Sequence, residues 1–233
     1  MADGPKPDGG ADNPGVAELR RAAPRAPGTR AVRPRNAASL ILWRQGSGEP
    51  EILMGMRHAK HKFMPSVLVF PGGRVDRADH GVKVQSELRA DAETMLRRHA
   101  PASLSRALGV AAARELFEET GLLLGERDGE RLLPDLHALD YLCRAVTPAT
   151  RAMRFNARFL LAPAERVRGE IGGSGELEKL AWYKLSQARK AELAAITYKI
   201  LAEFDEWLAM PEAGRTARQL ICFRGMDNRT IDV

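Results

Sequence analysis

Residues 114–122 read Arg114-Glu115-Leu116-Phe117-Glu118-Glu119-Thr120-Gly121-Leu122, and this stretch decides the fold. The run Ala111 to Thr120 is rich in Ala, Leu and Glu, all good helix formers, and Gly121 is a stop signal. On a helix, Glu115, Glu118 and Glu119 share one face, because side chains three and four apart are neighbours. Like charges at that spacing cost an isolated helix roughly 0.2–0.5 kcal/mol per pair. Something must offset the repulsion. A hard divalent cation is the natural candidate, because Mg²⁺ prefers oxygen ligands and is commonly shared between carboxylates and a phosphate. Arg114 sits four residues before Glu118 and can orient that carboxylate.

Upstream, Phe70-Pro71-Gly72-Gly73-Arg74-Val75-Asp76 ends a short apolar run in a glycine pair, where backbone can approach a metal or a phosphate closely. With this segment in view, the chain resembles the Nudix hydrolases. Their box runs Gly, five residues, Glu, seven residues, then Arg-Glu-apolar-x-Glu-Glu-x-Gly-apolar. Here Gly73 opens the box, Asp79 stands where Glu is usual, and Arg114 to Leu122 matches the closing half position by position. From average residue usage, that half arises by chance in about one in 10⁴ chains of this length.

One departure is plain. Asp79 and Arg114 are separated by 34 residues instead of seven, so an insertion of roughly His80 to Arg106 splits the box. Its stretch Val84–His99 has helical composition, and Glu87 and Glu93 within it are poorer substitutes for Asp79. The insertion is a candidate lid, specificity element or dimer contact. A split box, together with Phe63-Met64-Pro65 and Arg151 to Phe159, is similar to the Nudix branch that includes coenzyme A diphosphatases.

The resemblance implies an α+β fold: a Nudix-type α/β/α sandwich with a mixed β-sheet and a helical insertion within the box. It implies metal-dependent hydrolysis of a diphosphate linkage, with coenzyme A or acyl-CoA as leading substrates. ADP-ribose, nucleotide sugars and dinucleoside polyphosphates are the alternatives, and a non-catalytic ligand-binding regulator is the reading from a different class. Mg²⁺ or Mn²⁺ is the implied cofactor. Glu118 and Glu119 would be metal ligands. Glu115 would be a ligand or the general base, Arg114 would hold the carboxylates in place, and the Gly73 carbonyl could add a ligand. Arg57 and Arg74 are the substrate-binding candidates, Arg57 because a guanidinium can grip phosphate bidentately at a strand end. It lies in a basic loop with His58, Lys60, His61 and Lys62. Glu176 and Glu178 are candidates for an extra base.

The remaining sequence fits that reading. The 233 residues carry 36 Lys+Arg against 30 Asp+Glu, and 44% are hydrophobic, which excludes a disordered or fibrous chain. No apolar run approaches the roughly 20 residues needed to span a bilayer. Residues 1–36 hold seven basic and four acidic residues among Pro, Gly and Ala, and read as a disordered tail before a domain at 37–233. The tail has no aromatic residue to stack on bases, which argues against nucleic acid. Cys143 and Cys222 suit a reducing compartment, with the cytoplasm as the expected location. A small nucleotide-type molecule is the expected partner, and a homodimer is one option for assembly.

Strands are expected at Ala38–Trp43 and Glu51–Arg57 as a hairpin, then at Val67–Phe70, Leu139–Val146, Arg154–Leu161, Glu178–Tyr183 and Arg218–Arg224. Ser186–Met210 reads as one or two helices with Ser186 as cap. Cys143 reads as a core residue, and the spacings of Trp182, Tyr198, Phe204 and Trp207 suit core packing.

Overall fold

The computed structural model describes residues 23–58, 66–173, 175–225 and 229–232. Residues 1–22 of the expected tail lie outside them, as do Lys60, His61 and Lys62 of the basic loop and Phe63-Met64-Pro65.

A nine-stranded mixed sheet forms the centre. Its strands are β1 (Arg35–Gln45), β2 (Pro50–Arg57), β3 (Leu68–Val69) and β4 (Gly72–Arg74), then β7 (Asp140–Val146), β8 (Phe155–Pro163), β10 (Leu177–Lys184), β11 (Ile221–Arg224) and β12 (Arg229–Ile231). The order is β10-β2-β1-β8-β7-β11-β12, with β3 on β2 and β4 on β1. β1 runs parallel to β8, and β7 to β11. A second sheet joins β5 (Leu123–Asp128), β6 (Arg131–Pro134) and β9 (Val167–Arg168).

Successive side chains of a strand point to opposite faces, and here both faces are covered. Leu40 and Leu42 of β1, Leu53 of β2 and Leu160 of β8 join one core beneath α1 (Ala90–Arg97) and α2 (Ala102–Thr120). Ile41, Ile52, Met54 and Leu161 join the other, beneath α3 (Leu185–Lys190) and α4 (Ala195–Ala209). Cys143, Phe204 and Trp207 lie in that second core, as expected, and Phe204 and Trp207 stack at 6.2 Å. A short helix, α5 (Glu212–Arg215), leads back to the sheet. The result is the α/β/α sandwich with a mixed sheet. Among the described residues, no helix is long and apolar enough to cross a membrane.

Several boundaries differ from the sequence reading. Helix α2 begins at Ala102, nine residues before the expected start, and runs through Gly109. Glycine usually weakens a helix interior. Here a Cβ at Gly109 would press on Leu136 and Leu139 at 3.2 Å, so the residue permits close packing. Gly121 does end the helix, with φ 75° and its N–H donating to the Phe117 carbonyl at 2.8 Å. Within the insertion the helix is shorter than expected, Ala90–Arg97 in place of 84–99. The residues before it pair instead with the loop after β6, where Ser86 bridges Asp135. Ser186 is not the cap. It lies in the first turn of α3, and its N–H and hydroxyl both donate to the Glu49 carboxylate. Strands β4, β5, β6, β9 and β12 and their pairings were not foreseen. Finally, β1 starts at Arg35, inside the expected tail. Residues 23–34 run back over the β7–β8 loop, where the Arg25 N–H donates to the Thr150 carbonyl at 2.7 Å and Arg154 reaches the Val32 carbonyl at 2.8 Å.

Candidate active site

Helix α2 carries the carboxylates and β4 faces them. β4 is held in antiparallel register on β1, with Gly73 opposite Ala38. A Cβ at Gly73 would overlap the Glu115 carboxylate, so the glycine lets that carboxylate lie directly against the β4 backbone. The adjacent Gly72 N–H donates to Glu119 Oε2 at 2.8 Å. The glycine pair therefore packs one carboxylate and hydrogen-bonds another.

Arg114 organises the rest. Its Nε and one terminal nitrogen grip both oxygens of Asp79, at 2.9 and 3.2 Å. The other terminal nitrogen donates to Glu115 Oε1 at 2.8 Å and to Glu118 Oε2 at 2.9 Å. Arg114 also donates to the Arg74 carbonyl at 3.0 Å, which ties α2 to the end of β4. Asp79 is wholly buried in the 3₁₀ turn Ala78–Gly81, and one of its oxygens accepts the Asp76 N–H at 2.7 Å. The two halves of the split box thus meet in space. The sequence placed Asp79 at the right interval from Gly73, but only the fold shows its contact with Arg114.

Charge is unevenly compensated. Burial pushes the Glu119 carboxyl up to about 8, with Glu115 and Glu176 adding to the rise and the Gly72 N–H and Arg57 opposing it. Burial also raises Glu115, against the pull of Arg114 and with a push from Glu118 and Glu176. Arg114 is raised: burial opposes its charge, but the Asp79 hydrogen bond and the charge of Glu115 outweigh it. Burial lowers Arg57, opposed by Glu119 and Glu176. Arg57, at the end of β2, and Glu176, just before β10, thus lie within electrostatic range of Glu119. Glu178 instead approaches His58 Nε2 at 3.2 Å. The Arg74 side chain is exposed and points into a neighbouring cleft.

Glu115, Glu118 and Glu119 offer only oxygen donors, the set that suits a hard divalent cation. Together with Asp79 and Glu176 they outnumber the cationic groups Arg114 and Arg57. Burial is the main cause of the raised Glu119 carboxyl, and the charges of Glu115 and Glu176 add to it. Among the described residues, no three such side chains converge into a ready cage. Arg114 draws Glu115 and Glu118 to one side while Gly72 holds Glu119 on the other. The residues fit a metal by chemistry and charge, with the final convergence left to the ion.

Comparison with known proteins bears on the fold. The solved structure of a NUDIX hydrolase from Alicyclobacillus acidocaldarius superposes with a TM-score of 0.56 at 25% identity, covering 73% of this chain and 90% of that one. The MutT NUDIX hydrolase of Burkholderia pseudomallei aligns at 20% identity and a TM-score of 0.46, over 74% of this chain and 98% of that one. In sequence, a Caenorhabditis elegans protein provisionally described as nudix hydrolase 7 is 38% identical over 89 residues. That match spans 38% of this chain and only 22% of the relative. No family model matches the chain. The chain has the fold of the Alicyclobacillus NUDIX hydrolase, and part of it is similar in sequence to the Caenorhabditis relative.

Proposed function

We propose that this chain is a Nudix hydrolase that cleaves a diphosphate linkage in a nucleotide-type small molecule with Mg²⁺ or Mn²⁺, coenzyme A or acyl-CoA being the leading substrates. One observation carries the reading: three glutamates on one face of α2 beside a glycine pair, with Glu119 buried and its carboxyl raised by that burial. A divalent cation held there supplies charge neutralisation for the phosphates and lowers the pKa of bound water.

The protein's own groups have distinct tasks. Glu118 and Glu119 hold the ion, with Glu115 and the Gly73 carbonyl as further donors. Arg114 fixes Glu115 and Glu118 and docks them to Asp79 and β4. Glu115, raised by burial beside that guanidinium, is suited to take the proton of the attacking water. Water adds to one phosphorus, the bond from that phosphorus to the bridging oxygen breaks, and the other phosphate leaves with the electron pair. Arg57, within electrostatic range of Glu119, would grip a phosphate. The coenzyme A preference is supported by the insertion within the box and by the segments that resemble the coenzyme A diphosphatase branch. Two buried free cysteines, Cys143 and Cys222, support a reducing location such as the cytoplasm.

The test is a substrate panel of coenzyme A, acetyl-CoA, ADP-ribose, NADH and a dinucleoside polyphosphate, with Mg²⁺, Mn²⁺ or EDTA and products identified by mass. Metal-dependent release of 3′,5′-ADP from the CoA compounds is the expected result. Glu118→Gln should lower kcat by at least about 100-fold while leaving the circular dichroism spectrum unchanged. Normal turnover by that variant, or ligand binding without metal-dependent cleavage, would overturn the hydrolase reading.

A further inference from the structure

A cleft of about 450 Å³ opens beside the carboxylate site, between the start of β1, the segment after β4 and the N-terminal part of α2. Arg35, Asn36, Arg74, Asp76, Arg77 and His80 supply its polar lining. Three guanidiniums here face a single carboxylate. Among the described residues, the Arg35, Arg74 and Arg77 side chains make no ion pair, whereas most of the molecule's other charged clusters are neutralised across strands and loops. Asp76, the one acid, lies 3.9 Å from Arg114 and belongs partly to the neighbouring site.

The floor of the cleft adds to this. Asn36 accepts a hydrogen bond at 2.7 Å from Arg158, a side chain only 1% exposed. The other two hydrogen bonds of Arg158 go to the backbone carbonyls of Asn156 and His99. The hydrogen-bond acceptors of this buried guanidinium are all neutral, and the charge of Asp232 acts on it from further off. Arg158 also fixes the Asn36 amide so that its NH₂ group is spared as a donor. The position is equally telling. The Arg74 carbonyl and the Asp76 carboxylate meet the same guanidinium that holds Glu115 and Glu118, so Arg114 links residues of the cleft to the carboxylates.

We propose that this cleft binds a phosphate monoester carried by the substrate, separate from the diphosphate that is cut, with Arg35, Arg74 and Arg77 as its ligands. The inference deepens the hydrolase reading, since it assigns how a substrate with an extra phosphate is told from one without. A dianionic monoester matches several guanidiniums, each able to donate two parallel hydrogen bonds. An uncharged ribose or a nicotinamide would leave these cations without a counter-charge. The cleft is also built from both sides of the box split, with His80 opening the insertion and Leu104 lying on the extended part of α2. The insertion thereby becomes a specificity element.

The deciding experiment is calorimetric binding to the full chain in EDTA, comparing adenosine 3′,5′-bisphosphate with AMP, alongside kcat/KM for coenzyme A and dephospho-coenzyme A with Mn²⁺. The native protein should prefer the bisphosphate by about 10- to 100-fold, the span of one or two charge-assisted contacts. In Arg35→Ala/Arg77→Ala the preference should fall below about twofold, and the Lys counterparts should recover part of it. Equal binding of the two nucleotides by the native protein overturns the proposal without any variant having to fold. A bisphosphate preference in a protein that cleaves nothing would uphold the cleft and sink the hydrolase reading. Coenzyme A and dephospho-coenzyme A cleaved at equal rates, with no binding preference, would do the reverse.

Discussion

Two buried carboxylates in this molecule look alike at first. Asp79 is 0% exposed and accepts from Arg114 Nε at 2.9 Å; Asp232 is 2% exposed and accepts from Arg144 Nε at 2.8 Å. Each ties a distant segment to a regular element. Their surroundings differ in sign. Arg114 is shared with Glu115 and Glu118, and Glu119 lies behind them, so negative charge is in excess. Asp232 is itself shared, between Arg144 and His99 Nε2 at 2.8 Å, with Arg158 close by. Burial, and then Arg144, lower the His99 pKa in spite of Asp232. One cluster is closed and fastens the C-terminal strand and the insertion to β7. The other gathers more acidic than basic groups, and it is the proposed place for a cation and a phosphate.

The largest expected effect breaks the closed cluster. Asp232→Asn leaves Arg144 buried without its counter-charge and should cost about 3–5 kcal/mol of stability. Calorimetry should show a fall in Tm of roughly 10 °C, by the scaling for a chain of this size. Turnover at 25 °C should change little, and a large loss of kcat with an unchanged Tm would invert the comparison. Asp79→Asn tests the other cluster. It weakens the grip on Arg114 and so loosens the orientation of Glu115 and Glu118. Mn²⁺ affinity and kcat should each fall about 10- to 100-fold, as when an outer-shell partner is lost. Because Arg114 keeps other partners, the drop in Tm should be smaller than for Asp232→Asn. The smallest effect is a pH slope. Glu119 is raised from 4.5 to about 8 in the folded state. Over that window the folded, metal-free protein holds a proton that the unfolded chain has released, so its stability falls as pH rises from about 4.5 to about 8. Tm in EDTA should follow that slope. Glu119→Gln should flatten it, and saturating Mn²⁺ should do the same by favouring the ionised carboxylate.

Much of this was legible in the sequence where local chemistry decides. The glutamate trio follows from spacing alone, and most strands of the central sheet follow from apolar runs bounded by turn residues. The pairing of Asp79 with Arg114 was not legible, because 34 residues intervene and no local signal says where the chain returns. The β5–β6 hairpin hid behind Glu126, Arg127, Asp128 and Arg131, charges that suit an outer hairpin beside the main sheet. Asp128-Gly129 was its one turn signal. Helix α2 was cut short at Gly109, because the sequence shows a helix-weakening glycine and not the leucines that require it. The basic cleft gathers Arg35, Arg74 and Arg77 from two separate stretches, and nothing along the chain joins them.

The split box has a consequence for how the molecule assembles. Arg114 and Asp79 are 35 residues apart along the chain. A box of ordinary spacing would bring them within eight. Closing the longer loop costs a flexible chain about 1.3 kcal/mol more, from the logarithmic dependence on loop length. Helix α2 can form early from its own local contacts, whereas the Asp79 side of the site must wait for the intervening segment to fold and return. The catalytic constellation should therefore mature late, after the helix that carries most of it already exists.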